Sequence, residues 1–294
     1  VNKSMTLVGR TIFDGDVSVG DQASYNPVVL DINGQVATTN FYFSTMTGGR
    51  LKMTDPAGVL NLQYGGTFNG ASTDGLLTNG VMNLKGTFGA SGVSFSATGS
   101  HVTNFVGITS IDFQGQGGFG ATLGHFATVT NTLPFAQGAI MLQSDVWAEG
   151  NLNSAPATSD SVRFLSTVPH TFHARGFSTT SVSAATRTVF DGVAVDLADG
   201  GSMASTVYGL SFRNLAGMTA FKMTRSVTPA ITFNGWAFQY LGVGTPTKFI
   251  DATSTVSPMT ITMTGHTPSL AQLTTNSLVL SNFLVTSNAS VTWP

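Results

Sequence analysis

His170-Thr171-Phe172-His173, with Arg175 two residues on, is the densest run of ionisable side chains in the chain. A metal site built on these two histidines needs both on one side. On a strand, positions three apart point to opposite faces, and no carboxylate in the same stretch completes a ligand set. The expectation is solvated or satisfied histidines in a loop after Pro169. Asp191, Asp196 and Asp199 precede Gly200-Gly201. Calcium takes about six or more oxygens, and the tandem Gly-Gly-x-Gly-x-Asp repeat that supplies them is missing. Asp191 is instead expected on the outer face, beside Arg213, as a surface pair worth under about 1 kcal/mol.

Basic residues gather in the third quarter: Arg163, Arg175, Arg187, Arg213, Lys222 and Arg225. Cleavage of a polysaccharide would need paired carboxylates, or calcium with a basic residue, on one face. Partner acids are few, and no spacing repeats so as to stack them. Gly-x-Ser-x-Gly, a phosphate loop and the zinc helix motif are all missing from the sequence. No catalytic residue, cofactor or metal is therefore expected.

Threonine pairs recur at Thr45/Thr47, Thr128/Thr130/Thr132, Thr186/Thr188, Thr245/Thr247, Thr253/Thr255 and Thr260/Thr262/Thr264. Their irregular intervals keep them from all stacking in one water-ordering file, and Thr is an ordinary strand residue. Among the aromatics, Trp236 reads as core, while Trp147, beside Glu149 in an inserted loop, reads as the better surface candidate.

These residues must be held by short strands. Charged residues make up 9% of the 294, Glu149 is the lone Glu, and 21 Phe supply ample surface to bury. Apolar residues alternate in Leu60-Asn61-Leu62, Met82-Asn83-Leu84, Leu210-Ser211-Phe212 and Ile231-Thr232-Phe233, the period of a half-buried strand. The second apolar residues (Phe13, Phe43, Leu62, Leu84, Phe113, Leu142, Phe164, Phe190, Phe212, Phe233, Met263 and Leu280) recur at a mean of about 24 residues. Two positions later, eight of these twelve anchors have Gly or Asn: Gly15, Gly86, Gly115, Gly192, Asn214, Gly235, Gly265 and Asn282. Both residues tolerate positive φ, so a left-handed bend follows each of these strands.

That pattern predicts an all-β fold: a right-handed parallel β-helix (β-solenoid) of about 12 irregular coils of roughly 22–30 residues, as one domain over 1–294. Residues 1–40 are expected to cap it or join subunits, and 284–294 to form a joining strand. The apolar-x-apolar-x-[Asn/Gly]-apolar run in Leu210 to Leu215, Ile231 to Trp236 and Leu278 to Phe283 resembles coils of bacterial parallel β-helix surface proteins. Adhesin and autotransporter passenger domains and pectate-lyase-like enzymes share this coil pattern. The competing architecture is an antiparallel sandwich with hairpins at Asn33-Gly34, Asn69-Gly70, Asp74-Gly75, Asn79-Gly80 and Asp191-Gly192.

A net charge of −2 gives no field for a nucleic-acid backbone, and no apolar run is long enough for a membrane helix. The chain has no Cys, so it uses neither a disulfide nor a thiolate metal site. It opens at Val1 without a leader, the pattern of a mature secreted chain or a piece of a longer one. Both ends read as strand with hardly a charge, where solenoids commonly carry a cap. The expected function is that of a non-catalytic extracellular or cell-surface structural protein. Copies of the chain would join into a filament or layer through Val1, Met5, Leu7, Leu284, Val285, Val291 and Trp293. The alternatives are a β-helix that binds or degrades polysaccharide, with surface polysaccharide as partner, and the stalk of a larger adhesin.

Overall fold

A computed structural model describes residues 3–21, 26–131, 139–154, 162–179, 188–198, 204–215, 218–225, 230–240, 248–254, 259–264, 283–285 and 289–292. At 108, 162, 204–211, 219–220 and from 223 onward, only the backbone is described. The strands are β1 (Met5–Thr6), β2 (Thr11–Phe13), β3 (Val17–Val19), β4 (Val28–Asp31), β5 (Val36–Thr39), β6 (Phe43–Thr45), β7 (Gly49–Lys52), β8 (Val59–Leu62), β9 (Gly65–Phe68), β10 (Val81–Ala90), β11 (Val102–Asp112) and β12 (Thr128–Asn131). They continue as β13 (Ile140–Leu142), β14 (Val146–Ser154), β15 (Val162–Thr179), β16 (Thr188–Leu197), β17 (Ala204–Arg213), β18 (Thr219–Arg225), β19 (Ala230–Tyr240), β20 (Lys248–Ser254), β21 (Met259–Thr264), β22 (Phe283–Val285) and β23 (Ala289–Thr292).

Strand pairs among the described residues are parallel, and each links one coil to the next. The chain is a parallel β-solenoid of about eight turns. The antiparallel alternative is thereby removed. Its hairpin dipeptides make bends instead, with Asn33 at φ 49° and Gly34 at 70°, and Gly75, Gly80 and Gly192 at 68°, 79° and 68°. About twelve coils were expected, more than the turns present, and the anchors do not all lie in one file of the stack. Phe13 lies in register with Thr39, a buried threonine, and Phe43 with Val17, one strand further on.

Two compact units are present, Val1–Thr130 with Gln143–Gly150, and Asn131–Leu142 with Asn151–Pro294. In the first, each early coil has three strands: β1, β2 and β3 stack on β4, β5 and β6, and β4, β5 and β6 on β7, β8 and β9. One inward file runs Ala37, Leu60, Met82, Thr103, all fully buried. The largest fully buried side chains are all phenylalanines. Phe68, Phe88, Phe95, Phe113 and Phe126 meet at centroid distances of 4.8–5.5 Å, mostly edge to face or tilted. Such pairs add about 0.5–1.5 kcal/mol each beyond area burial.

In the second unit, Phe164, Phe190 and Phe212 are in register and stack at 5.1 and 5.4 Å. The bends after Phe190 and Phe212 follow the expected rule, with Gly192 at φ 68° and Asn214 at φ 53°, whereas the expected bend at Gly15 has no positive φ. Positive φ turns the chain at Gly192 and Asn214, while Ser166, two residues after Phe164, does not adopt it.

Candidate functional site

The basic cluster of the third quarter lies across stacked coils of the second unit. His170 and His173 sit within β15, not in a loop. His173 is in register with Asp196, and its Nδ1 lies 3.2 Å from Asp196 Oδ2. That carboxylate comes from the next coil, 23 residues along the chain, and not from the local stretch. Lys222 follows in register, with Nζ 3.9 Å from the same oxygen, and Asp251 comes next. The row therefore alternates basic and acidic residues over four coils. An intervening lysine separates the two acids, so they do not make the facing pair that glycoside cleavage requires. Lys222 is half exposed, and its pair with Asp196 contributes little.

A second cluster surrounds Asp191. The residue is 3% exposed, so the expected open position on the outer face is incorrect. Register does place it beside Arg213, but its ion pair is with Arg163 of the preceding coil. Arg163 stands opposite Val189, two residues before Asp191 on the same side, and reaches it diagonally. Asn214 Nδ2 donates to the other carboxylate oxygen at 2.6 Å. With both oxygens engaged, Asp191 fastens three coils and is closed to substrate. Asp199 and Arg187 lie outside the described residues, and Arg225 is placed by backbone alone, opposite Ser254. Among the described residues, no group of three or more His, Asp or Glu comes together to hold a metal ion.

The first unit contains a pair that the sequence did not suggest. Ser96 and His125 are in register, with Oγ 3.3 Å from Nε2. His125 Nδ1 lies 3.1 Å from the Gly118 carbonyl, which fixes the proton on Nδ1 and leaves Nε2 to accept from the serine. This is the spacing of a nucleophile and its base. Both side chains are fully buried, however, so no substrate reaches the hydroxyl. Burial pulls the His125 pKa down, opposed by the negative charges of Glu149 and Asp74 and by backbone hydrogen bonds at Gly118 and Leu123. Nearby, His101 is fully buried against Phe95, and neither ring nitrogen has a hydrogen-bond partner. Desolvation lowers its pKa from 6.5 to about 4.

Trp147 does not stand in an exposed inserted loop. It lies on β14, half-buried, with its ring edge-on to Phe119 at 5.0 Å. Glu149 Oε1 accepts from Gly120 N–H at 2.7 Å, so both residues hold the excursion between β11 and His125. Trp236 falls among side chains that are not described. Of the threonines, Thr45 and Thr188 are buried, with Thr45 accepting from Gly70 N–H and Thr188 bonded to Ser154. Thr262 of the Thr260/Thr262/Thr264 run is in register with three single threonines, Thr206, Thr232 and Thr292, a file across four coils.

Of the residues expected to join subunits, Met5 is 39% exposed on β1. Leu7 is buried at 4%, with its N–H donated to Asp31 O, so it belongs to the core of its own coil. Leu284 and Val285 lie on β22 opposite Asp251 and Ala252, and Val291 lies on β23 opposite Ile261. Val1 and Trp293 lie outside the described residues. No protein-family model, curated protein or solved structure matches the chain, which leaves its own geometry to speak for its function.

Proposed function

We propose that this chain is a non-catalytic extracellular structural protein, a β-solenoid whose copies join through strand edges into a cell-surface filament or layer. The observation that carries the reading is the edge of the first coil. Strands β1, β2 and β3 each hold one parallel partner, β4, β5 and β6, and none pairs along its other side among the described residues. Their sequences, Met-Thr, Thr-Ile-Phe and Val-Ser-Val, contain no charge, and Met5 and Ile12 are 39% and 57% exposed. Natural edge strands commonly place lysine, proline or a bulge there to prevent pairing. These three strands are short, two or three residues each, but with no lysine, proline or bulge within them their free side is open to a further parallel strand. Joining this edge to β22 and β23 of another copy is head-to-tail, and such contacts propagate as a fibre or close as a ring.

The charge pattern supports the same reading. The acids Asp31, Asp191 and Asp196 are engaged by Lys52, Arg163 and His173 from neighbouring coils, so they tie the stack together and leave no open acid–base pair there. Sedimentation velocity and negative-stain electron microscopy of the full chain test the proposal. Mass should rise with concentration and rods or sheets should appear, while a Met5→Lys/Ile12→Lys chain stays monomeric with an unchanged β spectrum. A wild-type monomer at every concentration, or a double variant that assembles equally well, overturns it.

A further inference from the structure

One corner of the first unit carries an arrangement that edge-to-edge assembly does not use. Thr39, Leu62 and Leu84 are in register, so the residues that follow them, Asn40, Gln63 and Lys85, come side by side where the chain leaves each strand. Together with Tyr64 they line an open cleft of about 410 Å³, within the size range of small-molecule sites. Asp14 extends the row by one coil and accepts from Asn40 Nδ2 at 3.1 Å. Gly107, opposite Lys85, ends it on the other side. A side chain there would run into the Lys85 stem, 2.6 Å from its Cγ, so glycine leaves room for the lysine to lie across the floor.

The next file along the bend supplies aromatic surface. Phe41 and Tyr64 are 49% and 66% exposed, and their rings stack at 6.2 Å with 17° between planes. Core aromatics of this chain are almost wholly enclosed, so two stacked rings left in solvent mark a surface made for contact. The chemistry of the row narrows the ligand. Two planar amides each offer a donor and an acceptor, beside a ring face that takes C–H groups. A nucleic-acid strand would need a run of cations, and the cleft has one, Lys85. An apolar helix would leave the amides without partners. A pyranose satisfies all of these features at once, with its C–H face on Tyr64 and its hydroxyls on Asn40 and Gln63.

We infer that this corner is a carbohydrate-binding site, taking an oligosaccharide that crosses the coils along the Asn40–Gln63–Lys85 row, with Lys85 favouring a sugar carboxylate. This site is independent of the assembly reading, since it lies on the flank of the coils and not on their open edge. The test uses the full chain titrated by calorimetry with two probes, a neutral hexa-glucoside and a hexa-galacturonide, at millimolar concentrations. At least one probe should bind. Tyr64→Ala should weaken binding about tenfold and Tyr64→Phe hardly at all, as expected for a stacked ring. Lys85→Gln should weaken only the uronide. Tyr64 and Lys85 are exposed, so these variants keep the fold, which circular dichroism verifies. Binding of neither probe, or binding indifferent to Tyr64→Ala, overturns the inference.

Discussion

His101 shows what one buried side chain does to the response of the molecule to pH. Its ring is closed off from water and has no hydrogen-bond partner, so the folded state resists protonating it and the pKa falls to about 4. The unfolded chain binds that proton near pH 6.5. Between the two values the unfolded state holds more protons, so stability rises with pH across that window. The contribution is full above about pH 6.5, declines as pH falls, and levels off below about 4, a total of about 3 kcal/mol. Urea denaturation followed by circular dichroism at a series of pH values should show this slope. His125 adds a smaller slope of the same sign, since burial lowers its pKa as well. His101→Leu should flatten the dependence to that remainder, and an unchanged slope would show that His101 is not its source.

At the scale of elements, polar rows on the outer sides of the strands hold the coils in register. Asn83 Nδ2 donates to Asn61 Oδ1 at 2.8 Å, Asn104 Nδ2 donates to Asn83 Oδ1 at 2.9 Å, and Asn61 Nδ2 reaches Thr38 Oγ1 at 3.2 Å. The middle residue makes two ladder bonds and the last makes one. Net values near 1 kcal/mol per bond predict a cost of about 2 kcal/mol for Asn83→Ala and about 1 for Asn104→Ala. Chemical denaturation of the two variants reads this order, and equal costs would show that the ladder does not stabilise the stack. The ladder was half legible in the sequence. Leu60-Asn61-Leu62 and Met82-Asn83-Leu84 announced strands with an outward asparagine, but not that the asparagines would meet. Contacts between coils depend on register, and register depends on loop lengths that vary from coil to coil. The same reason hid the His173–Asp196 and Ser96–His125 pairs, which are 23 and 29 residues apart. The bend rule was legible because it is local: Gly86, Gly115, Gly192 and Asn214 each turn the chain within two residues of a core anchor.

For the whole molecule, the parallel winding makes stability a sum of coils and the interfaces between neighbours. This was readable from the recurring apolar anchors, although a buried threonine such as Thr39 takes a core position that an apolar pattern does not mark. The architecture predicts how damage spreads. Phe88 touches Phe68, Phe95, Phe113 and Phe126, so truncating it opens a cavity shared by adjacent coils. Phe88→Ala should cost about 3–5 kcal/mol locally. In a globular core that loss would lower protection everywhere. In a stack of coils it should fall first on the strands that pair with β10, namely β8, β9 and β11. Strands further along the first unit, such as β4 with its partner β7, are linked to the damaged coil only through intervening rows. Amide hydrogen exchange of the full chain should therefore show protection falling by two or more orders of magnitude in 59–68 and 102–112, as that cost implies, and by much less in 28–31. A uniform loss across the first unit would mean that its coils unfold as one block, and the additive picture of the solenoid would have to be abandoned.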